Sequence, residues 1–159
     1  MKQENIMLVL NDPLAQKLLN STVPARLAYN GLDGFPRVIP VGYIWNGAQF
    51  VTCTATNAPK VRALAANPKV ALTIDTSDQL PKVLLVRGTA SVEVVDGIPP
   101  EYLEACKKYM LAKDWQAFEA GVHTLYPQMA RITITPEWAK LLDFETRFPI
   151  AVEKLVKAK

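Results

Sequence analysis

Cysteine and histidine are nearly missing from this chain, two and one in 159 residues. Cys53 and Cys106 lie far apart with no His or Cys at metal-ligand spacing, so two unrelated buried thiols are expected, not a disulfide or a zinc site. His123 has no partners for a triad or a metal site. A structural place at a helix end, near Leu125 and Tyr126, is expected for it, with a haem ligand as the weaker alternative. Long apolar runs are missing too. The N-terminal one, Ile6 to Leu10, is too short for the core of a signal peptide or for a membrane span, and a soluble, cytoplasmic protein is the expectation. Blocks of one charge are absent. The net charge of +3 suits an anionic cofactor and is too scattered to argue for nucleic acid. Lys154, Lys157 and Lys159 form only a basic tail.

What is present is half hydrophobic and about a fifth charged, which is a globular composition, and the length fits one domain over residues 1–159. The informative stretch is Gly34 to Thr76. Arg37 to Trp45 is rich in Val, Ile and aromatics, and Gln49 to Thr54 continues with Phe, Val and Thr. Asn46-Gly47 between them is a hairpin signal, because both residue types tolerate positive φ. Pro59 suits the first position of a short helix, and Asn67-Pro68 stops it before the next strand, Lys69 to Ile74.

A helix start at Pro59 is a candidate anion site. Helix N-termini present unpaired N–H groups and partial positive charge. Thr54, Thr56 and Asn57 add neutral donors there, and Lys60 and Arg62 add full charges. The plainer alternative is an exposed loop with solvated cations.

Elsewhere, Asp12-Pro13 opens the first expected helix, and Ala25 to Asn30 is the first strand. Val83 to Val95 is a long strand in which Gly88 marks a bulge or bend. Pro99 to about Val122 is helical, with a break at Lys113-Asp114. Tyr102, Leu103, Cys106, Tyr109 and Met110 form one apolar face, read as core. Glu101, Glu104 and Glu119 read as solvated. Ala130 to Thr135 is the last strand, ended by Pro136, and Ile150 to Val156 a short final helix. The sum is a mainly β (α+β) fold, an antiparallel barrel of six or so strands with peripheral helices. Pattern alone does not separate a split barrel from an OB-type one.

Several segments together resemble one family. Asp33-Gly34, then Pro36-Arg37-Val38-Ile39-Pro40-Val41, Phe50-Val51-Thr52, the run KVRALAANPKVAL from Lys60, VRGTASVEV from Val86 and MARITITPE from Met129 are similar to the pyridoxamine 5′-phosphate oxidase-like split β-barrel proteins. The resemblance spans roughly Leu14 to Phe144. It implies an FMN-binding protein, or one that binds the deazaflavin coenzyme F-420, assembled as a homodimer with the cofactor at the interface. Apolar area for that contact is offered by Trp115, Phe118, Tyr126, Trp138, Phe144 and Phe148. It also implies a site: Val38, Ile39, Pro40 and Val41 along the isoalloxazine, Thr52 and Thr54 on the ribityl and phosphate side, and Lys60, Asn57 and Arg62 at the phosphate.

Two departures matter. Ala58 and Pro59 stand where several relatives carry a second phosphate-binding Arg. The Arg-x-His substrate motif is missing near the C-terminus, where DFETRFP from Asp143 keeps Arg147 without a histidine. The expected function is therefore a flavin-dependent oxidoreductase acting on a small organic molecule other than pyridoxamine phosphate. A non-catalytic flavin carrier or sensor is the alternative, and a nucleic-acid-binding barrel is weaker still.

Overall fold

The computed structural model describes residues 1–157. Seven strands form one antiparallel sheet: β1 (Ala25–Asn30), β2 (Pro36–Val41), β3 (Ile44–Trp45), β4 (Phe50–Ala55), β5 (Lys69–Asp75), β6 (Val83–Asp96) and β7 (Gln128–Leu142). Their order across the sheet is β2-β1-β5-β6-β7-β4-β3. The two edge strands are thus β2 and β3, which are consecutive in the chain. The sheet curls until its edges approach, and the chain steps from one to the other through Gly42-Tyr43 without a ladder joining them. That is a split barrel.

Alternation fills its interior. In β1, Ala25, Leu27 and Tyr29 point inward, while Arg26 and Asn30 are exposed. Leu27, Ile74, Leu84, Ile132 and Phe50 meet in the core. Each fully buried side chain of this size contributes about 1.5–3 kcal/mol over exposure. Helices α1 (Gln3–Leu10) and α2 (Pro13–Leu19) add Ile6, Leu10, Leu18 and Leu19 to the same core. The Asp12 side chain caps α2 by accepting from the Leu14 N–H at 2.9 Å, with Pro13 in the first turn.

Three elements differ from the sequence reading. The N-terminal apolar run is itself a helix, α1, that precedes the one opened at Asp12. The stretch Arg37 to Trp45 is two strands, broken at Gly42-Tyr43, because its halves pair with β1 and β4 at opposite sheet edges. Strand β7 does not end at Pro136 but runs to Leu142. Pro136 pairs with Gly88 where the β6–β7 register shifts, so the missing N–H falls at an irregular point of the ladder. The bulge expected at Gly88 is this shift. The Asn46-Gly47 turn joins β3 to β4, with Gly47 at φ 94° and the Asn46 side chain accepting from the N–H groups of Ala48 and Gln49.

Helix α3 (Pro59–Ala66) links β4 to β5. Between β6 and β7 the hairpin is interrupted by residues 97–127, pinched at its base by the Gly97 N–H donating to the Pro127 carbonyl at 2.8 Å. This excursion holds α4 (Pro100–Lys107), a 3₁₀ turn (Ala112–Asp114) and α5 (Trp115–Leu125). The expected break at Lys113-Asp114 lies in the 3₁₀ turn. Helix α6 (Ile150–Lys157) ends the described chain, and Lys159 of the basic tail lies outside it. No helix among the described residues is long and apolar enough to cross a membrane.

Candidate functional site

A cavity of about 380 Å³ opens where the barrel splits. The end of β2 supplies Pro40 and Val41, the crossing supplies Gly42, and β4 supplies Thr52 and Cys53. Lys60, in the first turn of α3, stands at the cavity, which α4 covers with Tyr102, Ala105 and Cys106 and the turn after α4 with Tyr109. The seam is fixed by the Thr52 hydroxyl, which donates to the Gly42 carbonyl at 2.7 Å.

Lys60 is half-buried, and among the described residues its ammonium has neither a carboxylate partner nor a hydrogen-bond acceptor. Burial alone shifts it, pushing its pKa below the ordinary lysine value. A desolvated cation without a counter-charge favours an anion in the space it faces. The N-cap of α3, Ala58, offers no side-chain cap; Pro59 has no N–H and the Val61 N–H donates to the Ala58 carbonyl at 2.9 Å, so the Lys60 N–H is the open donor of that first turn.

Helix α4 is held at both ends. Near its start, Glu101 accepts from Arg131 at 3.2 Å, and Arg131 also donates to Glu93 at 2.8 Å. Glu101 is therefore not a solvated helix residue, and its Oε2 is buried without a partner. Beyond the helix C-terminus, Lys108 donates to the Leu19 carbonyl at 3.3 Å and lies 4.6 Å from the centroid of the Tyr43 ring. The Tyr43 hydroxyl reaches the Leu19 carbonyl as well, at 3.3 Å.

The cavity walls are neutral at ordinary pH. Burial pushes the Cys53 thiol up to about 12, with the nearby Glu101 charge adding to the shift. Burial pushes Tyr102 up to about 12 and moves Cys106 and Tyr109 in the same direction.

Of the residues named from the sequence, Pro40, Val41, Thr52 and Lys60 line this cavity. Val38 and Ile39 do not. Both sit in the β1–β2 ladder, where Val38 is 65% exposed and Ile39 packs against the core. Thr54 is half-buried in the β4–β7 ladder, opposite Ala130. Asn57 is exposed in the turn before α3. Arg62 faces away, into a separate cavity of about 240 Å³ shared with Asp33 and Arg37. His123 is exposed on α5, away from the cavity lining. Arg147 is taken up by Asp12, at 2.8 and 3.3 Å.

The sequence reading missed the α4 wall and the two thiols in one cavity. Tyr102, Cys106 and Tyr109 at i, i+4 and i+7 were visible as a helical face, but the polar tips and the thiol distinguish that face from a core stripe only once a cavity is known to lie beneath it. Among the described residues no group of three or more His, Cys, Asp or Glu side chains could hold a metal ion.

The class that the fold defines is the open antiparallel split barrel, here with an unpaired lysine at a covered cavity. The chain belongs to the family described as Pyridoxamine 5′-phosphate oxidase, whose family model matches residues 12–142. No curated protein matches it. Its fold is similar to that of an F420 reductase, with 23% identity and a TM-score of 0.61 over 79% of this chain and 94% of that one. It is similar to the heme storage protein HutZ from Vibrio cholerae, with 17% identity and a TM-score of 0.59 over 83% and 93% of the two chains. It is also similar to a FAD-binding protein from Mesorhizobium loti, with 20% identity and a TM-score of 0.51 over 79% and 87%. At these identities the likeness is one of fold.

Proposed function

We propose that this protein binds FMN through its 5′-phosphate and works as an oxidoreductase on a small organic molecule. The observation that carries the reading is Lys60, a half-buried ammonium without a counter-charge at a cavity whose other walls are neutral. Such a site suits a ligand with one anionic end and an uncharged planar body. Lys60, with its ammonium and its backbone N–H at the start of α3, would hold the phosphate, and Pro40, Val41 and Thr52 would border the ring system. A bound flavin supplies hydride chemistry, and the residues here supply position and exclude water.

Coenzyme F-420 is the second reading for the same corner, since it also presents a phosphate, and an F420 reductase shares the fold. Pyridoxamine phosphate is not the substrate of this reading, because the Arg-x-His motif is missing and Arg147, paired with Asp12, does not line the cavity. We further propose a homodimer with the site at its interface. Leu32, Phe35 and Val38 around the β1–β2 turn are 62%, 68% and 65% exposed, which offers apolar area for such a contact. Two free cysteines suit a reducing cytoplasm.

The test is the absorption spectrum of the purified protein, followed by titration of the apoprotein with FMN and with coenzyme F-420. Flavin or deazaflavin bands, or saturable quenching with either compound, are the expected result. A Soret band, or no binding of either, would overturn the reading.

A further inference from the structure

Two polar groups at the separate cavity of about 240 Å³ are without partners. Tyr29 is the first. Its side chain points inward from β1 and is 9% exposed. A polar group so buried is ordinarily hydrogen-bonded. Among the described residues Glu101 Oε2 is the one fully buried side-chain oxygen or nitrogen left without a partner. The Tyr29 hydroxyl has none either, so it is reached from the cavity that Tyr29 lines. Arg62 is the second. It is half-buried on α3, and among the described residues its guanidinium has neither a carboxylate partner nor an acceptor. Arg37, by contrast, is held. It donates to the Asp33 carboxylate at 2.6 Å and to the Phe35 carbonyl at 3.3 Å. The hydrogen bond from Arg37 keeps the Asp33 carboxyl below the usual carboxylate value, so Asp33 stays ionised. The charges around the cavity therefore do not cancel: two guanidiniums face one carboxylate, and one positive charge is left over. Pro59, Ala63 and the Tyr29 ring supply apolar wall, with Leu32 from the β1–β2 turn.

We propose that this cavity is a second binding site, for a small organic monocarboxylate whose oxygens accept from the Arg62 guanidinium and the Tyr29 hydroxyl. A single carboxylate matches the one surplus charge, and guanidinium suits its two oxygens. A second negative charge would meet Asp33, and a neutral ligand would leave Arg62 unpaired. The cavity is smaller than the roughly 300–1,000 Å³ of pockets for drug-sized molecules, so the body is small, and the apolar wall favours a hydrocarbon one. The site stands apart from the flavin reading. Pro59 lines this cavity and Lys60 the other, so the start of α3 separates the two.

Three probes test this on the full chain: benzoate, neutral benzamide, and phenyl phosphate, which is largely doubly charged at neutral pH. Titrated by calorimetry, benzoate should bind at least about tenfold more tightly than benzamide, and more tightly than phenyl phosphate. Arg62→Gln keeps a helix-forming side chain and removes the charge; it should weaken benzoate about ten- to a hundredfold. Tyr29→Phe keeps the ring in the core and should weaken it roughly three- to tenfold. Lys60→Ala should leave benzoate affinity unchanged, because Lys60 does not line this cavity. Amide chemical shifts of the native chain locate the ligand without any substitution: benzoate should move Gly31, Leu32, Arg62 and Ala63. Shifts confined to Thr52, Cys53 and Cys106, or benzoate binding lost in Lys60→Ala and kept in Arg62→Gln, would place the carboxylate at the split and overturn the proposal. Equal affinity for benzoate and benzamide, or tighter binding of phenyl phosphate, would overturn it as well. The protein is titrated in whatever assembly it adopts, so a contact between copies that closed the cavity would show as no benzoate binding and would also overturn it. A failure of FMN to bind removes the flavin reading and leaves each of these outcomes in force.

Discussion

The Thr52 hydroxyl donates to the Gly42 carbonyl at 2.7 Å, and this bond crosses the seam of the split barrel. Gly42 lies on the step between the two sheet edges, and Thr52 is in β4, beside the edge strand β3. No ladder joins β2 to β3, so a side chain fastens what backbone pairing leaves open. Thr52 is 5% exposed, and its bond accounts for a polar group in that position.

Thr52→Val keeps the shape and removes the donor. The expected loss is about 0.5–1.5 kcal/mol, the net worth of one neutral hydrogen bond. Urea unfolding monitored by tryptophan fluorescence reads it as a lower midpoint with unchanged slope. An unchanged midpoint would mean that the seam does not depend on this contact.

Local signals made much of the fold legible. Strand β1 falls at Ala25–Asn30 as read, because its alternation is strict and Gly31 to Gly34 turns the chain after it. The helix at Pro59 follows from one proline and is ended near Asn67-Pro68. The break at Gly42-Tyr43 was hidden, since Val, Ile and aromatic residues continue on both sides of it and only pairing with distant strands separates them. Pro136 misled for the same reason: its missing N–H matters only against the partner, and the partner at that point is the Gly88 bulge. At the site, Lys60 was visible from its place after Pro59, and Arg62 two residues on is turned into another cavity by helical geometry. The α4 wall comes from an excursion whose docking is tertiary.

Gly88 answers to a close approach. A Cβ built there would lie 2.3 Å from the Thr135 carbonyl oxygen and 3.0 Å from its carbon. Those are backbone atoms of the paired strand, which cannot swing aside as a side-chain tip can. Gly88→Ala should therefore cost about 1–3 kcal/mol or more by forcing β6 and β7 apart at the bulge. Thermal unfolding measures it; a melting temperature equal to that of the native chain would show that the bulge absorbs the methyl group.

Asp143 predicts acid sensitivity. Its Oδ1 accepts from the N–H groups of Glu145, Thr146 and Arg147 at 2.9, 2.7 and 2.8 Å, and its Oδ2 from the Thr146 hydroxyl at 2.7 Å. Burial by itself raises the carboxyl, but these donors outweigh it and hold the pKa well below the ordinary value of 3.8. The unfolded chain thus takes up a proton at higher pH than the folded one. The stability contribution is present above 3.8 and is lost as pH falls through that value toward the lower folded one. Asp143→Asn should lower the melting temperature at neutral pH and flatten its decline below about pH 4. Parallel curves for the two proteins down to low pH would refute this account of the loop after β7.

Lys60→Ala bears most directly on the site. A charge-assisted hydrogen bond to phosphate is worth roughly 1.5–3 kcal/mol, so FMN affinity should fall about ten- to a hundredfold. Riboflavin, which lacks the phosphate, should bind both proteins alike. The ligand-free protein should not be weakened. Burial lowers the Lys60 pKa, so the unfolded chain binds its proton more tightly, and the charged form costs stability below the folded pKa, a cost relieved as pH rises toward 10.5. Removing the ammonium removes that cost. By the same sign, FMN affinity of the native protein should begin to fall at a lower pH than an ordinary lysine would set, as Lys60 loses its proton. Lys69→Ala is the control: its ammonium is bound to Glu137 at 3.0 Å and Thr89 at 2.9 Å and does not line the cavity. Fluorescence quenching of FMN by the apoprotein measures all three chains. If Lys60→Ala binds FMN as the native chain does, the phosphate lies elsewhere. If no chain binds FMN, the same set titrated with coenzyme F-420 decides whether this lysine serves the deazaflavin phosphate instead.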